Sequence, residues 1–226
     1  MKPILIISAT RGKKEDTVLY KSLQYQDNNR YKLDMYEDNE QGLSTIYNNT
    51  LKTVSELEYD YILFVHDDVS LQDSMFQFKI YESMKQFDVV GFAGTTKCVI
   101  KKPALWHIMN NDKPFHGASG AVAHPNDQGI VRMSTYGDFG TRCILLDGLF
   151  LAVNIKKVKE TGLLFDEQFK FHFYDLDLCL TANKKKLKMG TAPIWVIHKS
   201  AGLLNYNDKG FQQLEDKFVN KWKGNK

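Results

Sequence analysis

Three residues with metal-binding or acid–base chemistry, His66-Asp67-Asp68, directly follow an apolar segment at 61–65. Two carboxylates and an imidazole at the end of a buried strand are suitable ligands for a hard divalent cation such as Mg²⁺ or Mn²⁺. Such a cation neutralises phosphate oxygens while a leaving group departs. The same tripeptide is also compatible with an ordinary Asx turn or a helix cap. Local sequence leaves both interpretations open.

A second acidic pair, Asp175 and Asp177, lies at the start of a predicted helix at about 176–185. The aromatic segment 169–174 precedes it, so one carboxylate could remove the proton from an acceptor hydroxyl beside an aromatic wall. Acids at the N-terminus of a helix and lysines at its C-terminus also complement the helix macrodipole. Capping alone therefore explains the same spacing.

Two further candidates lie beside or within apolar runs. His198 follows the segment 194–197, where a lone histidine is more often structural, and it gains functional interest only if the fold brings it to Asp68. Asp147 interrupts an apolar run, and a buried carboxylate needs a partner or a place at the edge of a pocket. A zinc site of His66, His172 and His198 has no short His-x-x-x-His spacing to support it. Phosphate-loop and Gly-x-Ser-x-Gly motifs are absent, which excludes P-loop, kinase-like and α/β-hydrolase classes.

These candidates need elements that bring them together. In the first half of the chain, strands predicted at 3–9, 31–36, 61–65 and 88–93 alternate with helices predicted at 17–25, 43–57 and 75–87. This alternation of helices and buried, β-rich strands is typical of an α/β fold with a mostly parallel central sheet flanked by helices. Ligands of such sheets bind at the carboxyl ends of the strands, where residues 66–68 lie.

The second half has a different pattern. Strands or hairpins are predicted at 117–123, 129–134 and 144–153, followed by a strand at 189–197. A C-terminal helix is predicted because four apolar residues fall on one helical face: Phe211, Leu214, Phe218 and Trp222. The second half therefore resembles a mixed region that completes a pocket on a nucleotide-type sheet.

Composition bounds the class of protein. A chain of 226 residues corresponds to one large domain or two small ones at ~150 residues per domain. With 43% apolar and 25% charged residues and only 5 prolines, it is not a disordered or collagen-like chain. The formal charge of +3 is too small to indicate a nucleic-acid partner. The lysine-rich runs are interpreted as solvated faces, with adhesion to an anionic membrane surface as the less favoured alternative.

Cysteine usage and hydropathy bear on the compartment. Cys98, Cys143 and Cys179 are far apart, so they predict neither a disulfide framework nor a cysteine-based zinc site. The N-terminal residues lack the long apolar region of a signal peptide. The apolar stretch 143–153 is too short to span a bilayer and contains Asp147. We expect a cytoplasmic protein with at most peripheral membrane contact and no nucleic-acid partner.

Taken in order along the chain, the motifs resemble those of the family-two-like glycosyltransferases of the GT-A fold. The similarity is greatest to the streptomycin-biosynthesis-type glycosyltransferase-like branch. The segments that match are 4–11, Gly42-Leu43-Ser44 with Tyr47-Asn48, His66-Asp67-Asp68, 146–153, 162–167, 174–179, and His198-Lys199-Ser200 with Gly202.

The resemblance implies transfer of a sugar from a nucleotide-diphosphate sugar, expected to be a UDP-sugar, to an acceptor hydroxyl. By position, Ala9, Thr10 and Arg11 would border the nucleotide, and Glu37 or Asp38 would contact the base or ribose. The remaining residues that the resemblance assigns to the donor site are Tyr47, Asn48, Asp67, Asp147 and Gly148. One domain over 1–226 is expected, with a nucleotide-sugar-binding half at 1–100 and an acceptor and catalytic half at 101–226.

The resemblance also implies a metal site and a catalytic base. Asp68 matches the last carboxylate of the family's Asp-x-Asp motif, His198 matches a histidine that completes the shell of Mn²⁺ or Mg²⁺, and His66 is a third candidate ligand. Asp175 matches the base, with Asp177 as a supporting residue. Two positions depart from the pattern, because His66 replaces the first acid of Asp-x-Asp and Tyr174 replaces the acid before the base.

The function expected from this resemblance is inverting, metal-dependent and non-processive glycosyl transfer. The Gln-x-x-Arg-Trp signature of processive synthases is absent. A nucleotide-sugar-binding protein without turnover is the alternative, and a sugar nucleotidyltransferase is less favoured because residues 8–14 contain one glycine. The acceptor, a glycan or a small molecule, could stack on aromatic side chains that are otherwise core residues. The candidates are Trp106, His107, Phe115, His116, Tyr136 and 169–174.

Overall fold

The computed structural model describes residues 1–98, 100–106, 109–110, 113–114, 116–126, 128–199 and 208–224. The helices in these residues are α1 (Val18–Leu23), α2 (Leu43–Thr53), α3 (Phe76–Ser83), α4 (Ile155–Thr161), α5 (Tyr174–Lys184) and α6 (Lys209–Trp222). The strands are β1 (Ile4–Ala9), β2 (Tyr31–Tyr36), β3 (Tyr61–Val65), β4 (Val69–Leu71), β5 (Val89–Gly91), β6 (Ala93–Thr95), β7 (Met109–Asn110), β8 (Lys113–Pro114), β9 (Ala118–Pro125), β10 (Val131–Gly137), β11 (Arg142–Cys143), β12 (Leu145–Leu146), β13 (Phe150–Asn154), β14 (Met189–Thr191) and β15 (Val196–His198).

The central sheet has seven strands in the order β11-β14-β5-β13-β3-β1-β2. β1 is parallel to β2 and β3, and β14 is parallel to β5. β13 is antiparallel to both β3 and β5, and β11 is antiparallel to β14. Five strands therefore run in one direction and two in the other, which agrees with the mostly parallel sheet predicted from the sequence.

The second half of the chain contributes to the middle of this sheet. β13 lies between β3 and β5 and pairs along its length with β3, from Phe150 opposite Val65 to Asn154 opposite Tyr61. The expectation that the nucleotide-type sheet is confined to the first 100 residues is therefore wrong. The sequence of a five-residue strand buried on both faces does not show which strands it pairs with, because an apolar run is compatible with every central position in the sheet.

A second, six-stranded sheet has the order β12-β6-β9-β15-β4, with β10 paired to β9 as an antiparallel hairpin. Three segments predicted as single strands are divided between the two sheets. The breaks lie at Phe92, at 147–149 and at 192–195, and each moves the chain from one sheet to the other. Local periodicity does not report such a change, because both halves of each segment are apolar. The first two of these breaks line the cavity described below.

Helices cover the sheets through apolar faces that the sequence spacing predicts. In α2, Leu43, Ile46, Tyr47 and Leu51 are buried. The helix ends at Thr53 rather than Leu57, because Val54 turns to an extended conformation and packs on the core from there. In α6, Phe211, Phe218 and Trp222 are buried, as the predicted apolar face requires. In the part of the chain that the structure covers, no helix is both long enough and apolar enough to cross a membrane.

Candidate functional site

The loop after β3 brings together two residues that are far apart in the sequence. Asp68 Oδ2 lies 3.1 Å from His198 Nε2. His198 is placed there by the antiparallel pairing of β15 with β4, which sets it opposite Val69. The fold therefore meets the condition under which His198 becomes a functional candidate.

The carboxylate of Asp68 is only partly satisfied. Its Oδ1 atom is buried and has no hydrogen-bond partner among the described residues. Burial would raise the pKa of Asp68, but the hydrogen bond from His198 and the nearby charges of His198 and His66 outweigh it and hold the pKa below its ordinary value. Asp68 is therefore an ionised carboxylate with an unused buried oxygen.

His66 faces the first residue of α5. Its Nε2 atom lies 2.8 Å from the Tyr174 hydroxyl, and its ring stacks against Phe171 with a centroid distance of 6.0 Å. Burial lowers the pKa of His66 because it disfavours the charged imidazolium, although Asp68 and Asp147 act in the opposite sense. The two positions that depart from the family pattern, 66 and 174, thus contact each other directly.

The first turn of α5 presents Asp175 to the same region. Its Oδ2 atom accepts a hydrogen bond of 2.8 Å from the Gly148 backbone N–H. Burial and then the charge of Asp147 raise the pKa of Asp175 from 3.8 to about 7, although backbone hydrogen bonds oppose the shift. Asp175 is therefore a carboxyl group that exchanges its proton near neutral pH, as a general base requires.

The turn between β12 and β13 allows this close approach. Asp147 accepts a hydrogen bond of 3.0 Å from the Leu149 N–H, which closes an Asx turn around Gly148. A Cβ atom at Gly148 would lie 2.6 Å from the Cβ of Asp175 and 2.6 Å from the Tyr174 hydroxyl. Only glycine fits at this position without displacing α5.

These side chains surround a cavity of about 410 Å³. Its polar lining consists of Asp68, Asp147, Asp175, His66, His124, His172 and His198. The aromatic part of the lining includes Trp106, Tyr136, Phe171, Phe173, Tyr174 and Phe211. The cavity thus combines carboxylates and imidazoles with aromatic walls, the composition of a typical small-molecule site.

The aromatic acceptor candidates divide according to exposure. Phe171 is 57% exposed at this cavity, whereas Phe169 is fully buried in the core. His116 is exposed and does not line the cavity. His107, Phe115, Ser200 and Gly202 lie outside the described residues.

The residues predicted to border the nucleotide form a separate group at the ends of β1 and β2. The Thr10 N–H donates to the Tyr36 carbonyl, which joins the two strand ends. Glu37 accepts a hydrogen bond from the Lys14 N–H, and Asp38 forms an ion pair with Lys13. Ala9 and Arg11 flank Thr10, and the backbone of Asp67 is bonded to α1. The residues of this group do not line the cavity of about 410 Å³.

Tyr47 and Asn48, also assigned to the donor site from the sequence, lie in the core instead. Tyr47 is 0% exposed and packs against Phe64, Phe165 and Tyr174. Both amide atoms of Asn48 bind the segment around Phe165. Neither side chain presents a surface to a ligand, because the apolar face of α2 buries both of them.

Asp177 likewise points away from the cavity. It is 1% exposed and accepts a hydrogen bond of 2.9 Å from Trp222 Nε1 while forming a 2.7 Å ion pair with Lys221. Burial raises its pKa, and Lys221 and Trp222 oppose that shift. The expectation that Asp177 supports the reaction therefore does not match its position, which anchors α6.

Sequence reasoning missed His124, which lines the cavity from β9. Its ring lies 5.4 Å from the ring of His198, and burial lowers the pKa of His124. The signal available was its place near the end of a predicted strand, the criterion that singled out His66 and His198.

The residues around Asp68 fit a divalent cation that takes most of its ligands from the bound substrate or from water and only a few from the protein. Among the described residues, no group of three or more His, Cys, Asp or Glu side chains is arranged to hold a metal. His198 Nε2 and Asp68 Oδ2, 3.1 Å apart, are hydrogen-bonded to each other, so the fit depends on the other carboxylate oxygen. The unused Oδ1 of Asp68 supports the same fit.

Several solved structures are similar to this one. S. aureus TarS 1–349 in complex with UDP is 13% identical, with a TM-score of 0.51, and the match covers 97% of this chain and 70% of that chain. S. aureus TarS gives a TM-score of 0.50 at 13% identity, with 98% of this chain covered but only 44% of that chain. A197 from STIV is 11% identical over 84% of this chain and 82% of that chain, with a TM-score of 0.46.

The likeness to TarS confirms the predicted GT-A fold. Among curated protein sequences, none is significantly similar to this chain. The sequence profile described as "Glycosyltransferase like family" matches residues 17–222, which is most of the chain. The protein is therefore a member of the Glycosyltransferase like family.

Proposed function

We propose that this protein transfers a sugar from a UDP-sugar to an acceptor hydroxyl, with inversion at the anomeric carbon and one addition per acceptor. The observation that supports the reaction is Asp175, a carboxyl group with a pKa of about 7 in the same cavity as Asp68 and His198. A group that titrates near neutral pH both binds and releases a proton easily, so it is suited to general base catalysis. Membership of the streptomycin-biosynthesis-type branch and a cytoplasmic location belong to the same proposal.

In the proposed step, the acceptor oxygen attacks the anomeric carbon of the donor sugar. A bond forms between that oxygen and the anomeric carbon, the bond from the anomeric carbon to the diphosphate oxygen breaks, and the hydroxyl proton passes to Asp175. A single in-line displacement inverts the anomeric centre. The Gly148 N–H orients the Asp175 carboxylate, and Asp147 keeps its affinity for the proton high.

Asp68 and His198 are the residues that would hold Mg²⁺ or Mn²⁺, and His66, the third candidate from the sequence, lines the same cavity. When bound, the cation would supply positive charge against the departing diphosphate. Asp68 supports this assignment because it is ionised and has a buried oxygen without a protein partner.

The donor nucleotide is proposed to lie at the carboxyl ends of β1 and β2, near Ala9, Thr10, Arg11, Glu37 and Asp38. Parallel sheets bind ligands at this edge. The solved complex of TarS with UDP favours uridine as the base. The acceptor is proposed to occupy the aromatic side of the cavity, where Phe171 is exposed.

Replacement of Asp175 by Asn tests the base. Asn retains the oxygen that accepts from Gly148 but binds no proton, so we expect transfer to fall by roughly 10²–10⁴-fold while UDP binding persists. The matched control is Asp27→Asn, which changes an exposed capping carboxylate that does not line the cavity, and Asn caps equally well. Undiminished transfer by Asp175→Asn would refute the assignment of the base.

The second candidate function is nucleotide-sugar binding without turnover, which the imidazole in place of an acid at position 66 favours. Calorimetry with a panel of nucleotide sugars, with and without Mn²⁺, followed by product analysis separates the two. Binding with neither transfer to any acceptor nor donor hydrolysis would establish the binding function and reject transfer.

A further inference from the structure

Four residues form a continuous chain of hydrogen bonds across the cavity floor. His66 Nε2 lies 2.8 Å from the Tyr174 hydroxyl, and that hydroxyl lies 2.8 Å from the Gly148 carbonyl oxygen. The N–H of the same glycine binds Asp175 Oδ2 at 2.8 Å. Gly148 thus connects the proposed base to the imidazole at the end of β3.

The number of protons available in this series of hydrogen bonds determines which atom donates in each of them. A carbonyl oxygen only accepts hydrogen bonds, so the single hydroxyl proton of Tyr174 is donated to Gly148. The Tyr174 oxygen then has only lone pairs to offer His66, and Nε2 must supply the proton between them. A neutral His66 in this arrangement has its proton on Nε2 and a lone pair on Nδ1.

The hydroxyl on Tyr174 orients His66 without adding charge. Burial raises the pKa of Tyr174 well above its ordinary value, so the phenol stays neutral. A carboxylate at this position would add a negative charge beside Asp147 and Asp175, whose mutual repulsion already raises the pKa of Asp175. Tyr174 therefore orients His66 without adding a charge that would change the pKa of Asp175.

We propose that Tyr174 is a positioning residue that holds His66 as the Nε2–H tautomer, and that Nδ1 is the atom this imidazole offers to the divalent cation. In the described part of the chain, no polar group is hydrogen-bonded to Nδ1. The role assigned to Nδ1 rests on the proposed function, whereas the tautomer does not.

Nitrogen-15 NMR of the histidine-labelled protein at pH 8 tests the tautomer directly. The spectrum distinguishes a protonated nitrogen from one with a lone pair, and a His66→Gln variant identifies the signals of His66. We expect the wild-type protein to show a single tautomer with the proton on Nε2. Tyr174→Phe removes the acceptor for that proton, so we expect mixed tautomers. Tyr31→Phe, which removes a hydroxyl bound to the Leu23 carbonyl outside the cavity, should leave the pattern unchanged.

A wild-type signal from the Nδ1–H tautomer or the imidazolium would overturn the proposal, and this result does not depend on the folding of Tyr174→Phe. An unchanged pattern in folded Tyr174→Phe would overturn the role of Tyr174. Titration with Mg²⁺ alone and with Mg²⁺ plus UDP tests the cation. We expect the Nδ1 signal to shift in the wild-type protein and to shift less in the variant. No shift under either condition would overturn the assignment of Nδ1, even in a protein whose tautomer is as proposed.

Discussion

Asp175 and Asp177 lie two residues apart in the first turn of α5, but they face different environments. Asp175 faces the cavity, where its partners are a backbone N–H and the like charge of Asp147. Asp177 faces α6, where Lys221 and the Trp222 indole N–H contact the same oxygen. Burial raises the pKa of both carboxyl groups. Only Asp177 has a cation against it.

The difference separates a structural carboxylate from a reactive one. A buried carboxylate with a cationic partner stays charged and joins two elements, whereas one without such a partner holds its proton up to neutral pH. A chemically reactive acid therefore needs burial without a compensating cation. This comparison predicts that changes on the α6 side affect mainly stability and changes on the cavity side affect mainly proton transfer.

The largest stability effect is expected on the α6 side. Lys221→Met removes the cation while Asp177, which is 1% exposed, stays buried, and a buried charge left without its partner costs about 3–5 kcal/mol. The same change removes the ion pair of Lys221 with Asp166. Urea-induced unfolding measures the loss. The control is Lys52→Met, which removes an exposed lysine 4.0 Å from Glu167 and should cost at most about 1 kcal/mol. Equal losses in the two variants would mean that Asp177 does not depend on Lys221.

A smaller loss of stability is expected for Gly148→Ala, together with a large loss of transfer. The new methyl group would overlap Asp175 and the Tyr174 hydroxyl, so the first turn of α5 must shift. Overpacking of this kind costs about 1–3 kcal/mol, less than the loss expected for Lys221→Met. Unfolding and single-turnover transfer measured on the same preparations test this order. A variant with normal transfer would show that the Gly148–Asp175 contact is dispensable.

The pH dependence of sugar transfer should depend on the carboxylates that face the cavity and not on Asp177, which faces α6. Asp175 acts as a base only when ionised, so kcat/KM should rise with pH through about 7 rather than near 3.8. Asp147→Asn removes the neighbouring charge, the largest contribution after burial, and should move this rise to lower pH. A rise that stays at the same pH in Asp147→Asn would exclude the repulsion between the two carboxylates.

The contribution of Asp175 to stability should show the opposite trend over the same window. Between pH 3.8 and about 7 the folded protein keeps the Asp175 proton that the unfolded chain has released, so this contribution to the free energy of unfolding falls as the pH rises. Burial lowers the pKa of His66, His124 and His172, which act in the opposite sense, so the test is the difference between the wild-type protein and Asp175→Asn. That difference should fall with pH, whereas the difference for Asp27→Asn should not, because the pKa of Asp27 lies below its ordinary value.

The sequence predicted much of this fold, and the reasons for its failures are physical. β2 and β3 have the predicted bounds, because alternating or apolar runs bounded by turns define strands locally. The division of 144–153 into β12 and β13 was missed, because both parts are apolar and only tertiary pairing separates them. The same reasoning explains why Asp177 was grouped with Asp175. Two acids in one helical turn have the same local sequence context, and only the position of Lys221 distinguishes them.

The smallest expected effect concerns binding of the acceptor. Among the acids, a cationic partner distinguishes the structural residue from the reactive one. The next variant tests whether exposure distinguishes ligand-binding from core residues among the aromatic side chains. Phe171 is 57% exposed at the cavity, so Phe171→Ala should raise the acceptor KM by roughly two- to tenfold, the equivalent of one aromatic contact, without changing stability or kcat. Leu164→Ala, at a residue 38% exposed that does not line the cavity, should change neither constant. Steady-state kinetics with the acceptor varied at saturating donor makes the measurement. An unchanged KM in Phe171→Ala would place the acceptor on another wall of the cavity, whereas a loss of stability would make Phe171 a core residue like Phe169.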